Sequence, residues 1–200
     1  MSDATSLHPL PGVPVPPNCY GDHIRQVLVT EDEVQTRVKE MADKISAEFA
    51  DAEEDVILLG VLKGAVFFIT DFARALSIPS QMEFMAVSSY GSGASSSGVV
   101  RIIKDLDRDI AGKNLIIVED IIDSGLTLKW LIKNLKARGP KRLEVISFLR
   151  KPEAVTADID FFDIGFDLPN EFLVGYGLDY AERYRDLPFV ASLEPSVYQS

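Results

Sequence analysis

Chemistry in this 200-residue chain concentrates where two adjacent carboxylates, Glu119 and Asp120, are followed by Asp123-Ser124-Gly125-Leu126-Thr127. The run Asn114–Val118 (NLIIV) ahead of them reads as a buried strand, and Leu126–Arg138 behind them reads as a helix stopped by Gly139-Pro140. Backbone amides of a Ser-Gly turn opening a helix point outward and favour an anion such as phosphate. Ser124 and Thr127 add hydroxyl donors, while Gly125 allows close approach to the backbone. Paired acids beside such a nest must meet hydroxyls or a cation. A ribose ring that carries a phosphate and vicinal hydroxyls satisfies every part.

The rest of the composition narrows the chemistry. A formal net charge of −11 opposes sequence-independent binding of nucleic acid, because an acidic surface repels a phosphate backbone. Any phosphate ligand therefore needs local cations, amides or a bound metal. The two histidines, His8 and His23, both lie near the N-terminus, which argues against a Ser-His-Asp triad and a histidine-ligated zinc site. A metal here is expected to be a hard, oxygen-ligated ion such as Mg2+. The single cysteine, Cys19, cannot form an internal disulfide and fits a reducing cytoplasm. No apolar run reaches the roughly 18 residues of a membrane span, and no basic-then-apolar leader opens the chain, so a cytoplasmic protein without membrane contact is expected.

The elements that must position these residues alternate. Residues 1–19, with Pro9, Pro11, Pro14, Pro16 and Pro17, read as a flexible extended tail ahead of one domain over 20–200. Thr30 and Glu33 form a capping box, and Val34, Val38, Met41, Ile45 and Phe49 recur at helical spacing. Asp55–Val61 reads as a buried strand, Gly64–Leu76 as a helix, and Met82–Tyr90 and Val99–Ile103 as strands around the low-complexity loop Gly91–Gly98. Asp105–Gly112 reads as a charged turn, with further strands at Leu143–Leu149, Phe161–Phe166 and Phe172–Val174. Apolar strands alternating with helices predict an α/β domain with a mostly parallel central sheet flanked by helices. Ligands of such sheets sit beyond the carboxyl ends of the strands. Leu62-Lys63-Gly64, Glu119-Asp120 and Lys151-Pro152 all fall at such ends.

The segment VEDIIDSGLT (Val118–Thr127) resembles the phosphoribosyl pyrophosphate-binding signature of type I phosphoribosyltransferases. LKGA (Leu62–Ala65), SSYG (Ser88–Gly91), RKP (Arg150–Pro152) and FLVGYGLDYAERYRD (Phe172–Asp186) follow the order of the hypoxanthine-guanine branch over about Val27 to Asp186. The resemblance implies the type I fold with a small hood subdomain, built from about 20–30 and 150–200. It implies a purine salvage transferase that joins the ribosyl phosphate of phosphoribosyl pyrophosphate to a 6-oxopurine base, in a homodimer or homotetramer. It places Glu119 and Asp120 on the ribose hydroxyls and near magnesium, and Asp123 to Thr127, including Gly125 and Leu126, around the 5-phosphate. Some relatives carry lysine at the position of Leu126. Asp123 also falls near nitrogen 7 of the purine, where it can exchange a proton. As a helix N-cap it would have a lowered pKa and be a weaker base. Lys63 and Gly64 resemble the pyrophosphate loop, in which the Leu62-Lys63 peptide is often cis, and Arg185 resembles a second pyrophosphate cation. Lys151 falls on the 6-oxo group, Phe172 stacks on the base, Leu173 offers backbone groups, and Asp179 holds a second magnesium beside the base. Ser89 and Tyr90 match a loop that closes over the site. Hypoxanthine, guanine and xanthine are not ranked by these residues.

Overall fold

The computed structural model describes residues 20–89 and 100–199, so the tail, Tyr90 and the Gly91–Gly98 loop lie outside the described residues. Strand β1 (Ile24–Val29) leads into helix α1 (Glu31–Glu48), followed by β2 (Val56–Leu62), α2 (Val66–Ala75), β3 (Ser80–Ser89) and β4 (Val100–Lys104). Strand β5 (Asn114–Ile122), helix α3 (Leu126–Lys136), β6 (Arg142–Arg150) and β7 (Asp163–Asp167) come next, and the short β8 (Leu173–Val174), β9 (Val190–Leu193) and α4 (Pro195–Tyr198) close the chain.

Six strands form one sheet in the order β4-β3-β2-β5-β6-β7. All neighbours are parallel except β3 and β4. Burial on both faces explains why DVILLGV and NLIIV are near-continuous apolar runs. Leu58, Ile116, Val118, Ile146 and Phe148 point to the side of α1 and α2 and pack on Val34, Val38, Met41, Phe68 and Phe72. Their alternates Ile57, Leu59, Leu115, Ile117 and Val145 point the other way, onto Leu128, Leu131 and Leu135 of α3. The period of two along the strands thus assigns each helix to its face. At the entry to α1, Thr30 Oγ1 accepts from Glu33 N and the Glu33 carboxylate accepts from Thr30 N at 2.8 Å, the capping box that the spacing predicts.

A second, three-stranded antiparallel sheet has the order β1-β9-β8. Ile24, Val27, Val174, Leu187, Phe189 and Leu193 give it a separate apolar cluster. Neither β1 nor β9 is among the elements read from sequence. The run IRQVLV of β1 buries four of six residues in an irregular BeiBBB pattern, with register shifts against β9, so it shows no alternation to recognise. Strand β7, within the 150–200 stretch, joins the large sheet.

Three boundaries differ in ways that matter for function. Strand β5 does not end at Val118: pairing with β6 continues to Ile122 against Arg150, so Glu119 and Asp120 lie inside the strand. Helix α2 begins at Val66, because Gly64 and Ala65 are used in a turn in which Val66 N donates to Lys63 O at 3.2 Å. The N-cap of α3 is Gly125, at φ +77°, with no side-chain cap, so Asp123 is not the helix cap that the sequence suggests. Ser124 Oγ instead accepts from Leu126 N at 3.4 Å.

Candidate active site

The carboxyl ends of β2, β5 and β6 open into a cleft of about 420 Å³, closed on its far side by residues 172–185 beside the small sheet. The three motifs expected at strand ends do meet here: Lys63 and Gly64, Glu119 and Asp120, and Lys151 all line it. Asp123, Phe172, Asp179 and Arg185 complete the polar and aromatic lining, with Leu173 beside Phe172. Leu62, from the expected Leu62-Lys63-Gly64 motif, forms an apolar wall with Val61, Ile121 and Leu178, which sequence reading passed over because apolar residues in and beside strands look like core.

Main-chain geometry shapes the wall of the cleft formed by the loop after β2. The Leu62-Lys63 peptide is cis. A Cβ on Gly64 would overlap the Asp120 carboxylate, so only glycine lets that acid lie against the loop. Gly177, at φ +102°, abuts the carbonyl oxygen of Gly64 in turn, again with no room for a Cβ. On the opposite side, Lys151 N donates to Ile122 O at 2.9 Å, extending the β5–β6 pairing one step and fixing where the lysine leaves the sheet.

The buried acid pair is electrostatically costly. Burial, and then the neighbouring Asp120 charge, push the Glu119 carboxyl well above the usual carboxylate range. Burial likewise raises Asp120 to about 6, although the Ile121 amide, donating to Asp120 Oδ1 at 2.7 Å, and the Arg185 charge both favour its ionised form. Two such groups in one cleft are characteristic of a site that meets hydroxyls or a cation. Arg185 donates to Gly177 O at 2.8 Å and pairs with Asp179 at 2.9 Å, while its Nε is buried with no hydrogen-bond partner. Lys63 Nζ donates to Glu182 at 2.9 Å. Glu182 is a participant that sequence reading missed, since its pairing with residue 63 exists only after folding.

At the other end of the cleft, Phe172 stacks on Tyr198 of α4 with ring centroids 4.8 Å apart and meets Tyr180 edge-on at 5.4 Å. Its ring is therefore held by a stacked neighbour and an edge-on one where it lines the cleft. Asp123 is exposed at the cleft margin. Ser124, Gly125, Leu126 and Thr127 do not line the cleft but form the turn that follows Asp123 into α3. The Ser124 carbonyl accepts from Thr156 N and Ala157 N, each at 3.1 Å, which anchors that turn. Ser89 ends β3, and Tyr90 falls outside the described residues.

Among the described residues no group of three or more acids, histidines or cysteines is arranged to hold a metal unaided. The cleft does present oxygen donors, Glu119, Asp120 and Asp179. That donor set fits magnesium, which takes one or two carboxylates and draws its remaining ligands from water and substrate phosphates.

A parallel sheet with paired acids at its carboxyl edge, a glycine turn into the next helix and a small antiparallel sheet across the cleft is the type I phosphoribosyltransferase fold. The structure superposes on hypoxanthine phosphoribosyltransferase from Staphylococcus aureus with a TM-score of 0.85 at 38% identity, covering 89% of this chain and 96% of that one. The family model for the phosphoribosyl transferase domain matches residues 30–181, and the chain belongs to that family. It is 55% identical to the hypoxanthine-guanine phosphoribosyltransferase of Mycobacterium avium, over 92% of this chain and 93% of the relative. It is 46% identical to the enzyme of the same name from Bacillus subtilis, over 88% and 97%.

Proposed function

We propose that the protein is a purine salvage enzyme that transfers the 5-phosphoribosyl group of phosphoribosyl pyrophosphate to hypoxanthine, guanine or both. The products are the nucleoside monophosphate and pyrophosphate. The observation that carries this reading is that Lys151 and Phe172 share one cleft with the Glu119–Asp120 pair and the Lys63–Arg185 cations. A base reader and a sugar-diphosphate reader therefore face each other across a single small volume.

Each residue has a task in this scheme. Glu119 and Asp120 accept hydrogen bonds from the ribose hydroxyls, which restores the solvation that burial removed. The turn 124–127 receives the 5-phosphate through its outward amides and hydroxyls, helped by the positive end of α3. Lys63 and Arg185 hold the departing pyrophosphate, and the unpartnered Arg185 Nε supports an anion there. Glu119, Asp120 and Asp179 would hold magnesium, which would supply neutralising charge for the diphosphate. Lys151, a donor-only group, hydrogen-bonds the 6-oxo oxygen and disfavours the 6-amino group of adenine. Phe172, braced by Tyr198 and Tyr180, covers one face of the base, and Leu173 offers main-chain groups to its edge. As the ring nitrogen attacks the sugar carbon from the face opposite the leaving pyrophosphate, Asp123 accepts the proton at nitrogen 7.

The same reading carries a cytoplasmic setting and a homodimer or homotetramer. None of the helices described is long and apolar enough to cross a membrane. A spectrophotometric assay with magnesium, phosphoribosyl pyrophosphate and hypoxanthine, guanine, xanthine or adenine tests the proposal. Nucleotide from hypoxanthine or guanine but not adenine is expected, and no nucleotide from any base would refute it.

A further inference from the structure

The two cations assigned to pyrophosphate are not idle in the free protein. One carboxylate oxygen, Glu182 Oε2, accepts from Lys63 Nζ at 2.9 Å and from Arg185 Nη2 at 3.3 Å. This oxygen joins two segments 119 residues apart and lies between the charges that a diphosphate would bridge.

Its placement is imposed by the fold. Ala181 and Glu182 both adopt the left-handed conformation, at φ +51° and +62°, which non-glycine residues rarely take. The turn is held by Glu182 N donating to Asp179 Oδ2 at 3.0 Å, and Asp179 itself pairs with Arg185. The side chains of Glu182 and Lys63 remain 65% and 64% exposed, so their pair is solvated and exchanges readily. The Glu182 carboxylate meets both cations through a single oxygen. It also leaves Arg185 Nε without a partner, so it fills only part of what the cation pair can bind.

We propose that Glu182 is an internal counter-anion, occupying the pyrophosphate cations when the site is empty and returning to them as pyrophosphate leaves. This rests on the function proposed above and gives Glu182 a role in that reaction. It weakens the hold on the product and so eases release, without touching the base. The direction of the effect separates this role from a structural one. If Glu182 serves to position Lys63 and Arg185, its removal must weaken anion binding; if it competes with the anion, its removal must strengthen binding.

The test is calorimetric titration of inorganic pyrophosphate, with magnesium at fixed ionic strength, into the wild type, Glu182→Gln and Glu182→Ala. Both variants are expected to bind pyrophosphate about two- to five-fold more tightly, the scale of releasing solvated ion pairs. In a Lys63→Ala background the gain is expected to shrink, because one of the two released cations is absent. Equal or weaker binding by both variants, or a gain unchanged in that background, overturns the proposal. Wild-type protein that binds no pyrophosphate overturns the parent function as well, which distinguishes the two failures.

Discussion

Replacing Asp120 with Asn is expected to stabilise the metal-free protein while crippling its use of the sugar donor. Burial raises the Asp120 carboxyl from 3.8 to about 6, so the folded state holds a proton that the unfolded chain has already released. Stability is therefore lost as pH rises from 3.8 through about 6, and the full penalty persists above that range. The penalty is on the order of 1–2 kcal/mol at pH 5 and about 3 kcal/mol at pH 7.5. Asn keeps an oxygen to accept from Ile121 N but carries no charge to desolvate. It also relieves Glu119, whose acidity Asp120 disturbs. Urea unfolding with a chelator present, at pH 5 and pH 7.5, should show a stability advantage for the variant that grows by roughly 1–2 kcal/mol between the two. A constant offset at the two pH values could arise from packing alone; the growth with pH could not. A variant that is less stable at both, or whose advantage is flat with pH, would refute the account of the acid pair. Its kcat/KM for phosphoribosyl pyrophosphate should fall, a case of a functional group held against stability.

Lys151→Ala should raise KM for the purine by roughly ten-fold or more, the scale of a lost charged hydrogen bond, and change KM for phosphoribosyl pyrophosphate little. Equal losses for both substrates in steady-state kinetics would remove its role as reader of the base. Asp123→Asn should lower kcat by roughly 10²- to 10⁴-fold, the range of general acid–base catalysis, with the thermal midpoint unchanged because Asp123 is exposed and caps no helix. A near-wild-type kcat would show that the proton at nitrogen 7 leaves by another route. Gly64→Ala should cost about 1–3 kcal/mol of stability through overpacking and raise KM for the sugar donor, since the new methyl must displace Asp120. Intact donor kinetics in that variant would contradict the close approach of loop and acid.

Much of the large sheet could be anticipated because its strands are buried on both faces and its helices carry their own signals. The Thr30–Glu33 box and the Val34, Val38, Met41, Ile45 series act within a few residues of one another, so short-range patterns suffice. The expectation that three motifs share the carboxyl edge also holds, because parallel strands joined by crossover helices must end on one side. The small sheet escaped notice for the opposite reason: β1 and β9 lie more than 160 residues apart in register, and β8 is two residues long. Asp is a common capping residue, so the sequence suggests a cap at Asp123, yet a left-handed Gly125 opens α3 with no side-chain partner. The bridge from Glu182 to Lys63 and Arg185, and the bracing of Phe172 by Tyr198, depend on tertiary distance alone.

The contact of Gly177 with the Gly64 carbonyl has a consequence for remodelling what the enzyme accepts. Where those two loops touch, the span between opposite walls is set by bare main chain, with no side chain to trim or enlarge. Variation in ligand size has to be accommodated elsewhere, at the end where Lys151, Phe172 and Leu173 supply replaceable groups. Under the proposed function, the aperture for the sugar donor is a fixed gauge and the acceptor end is the adjustable one. Libraries aimed at new bases should therefore spare residues 62–64 and 175–177 and concentrate diversity at 151, 172 and 173.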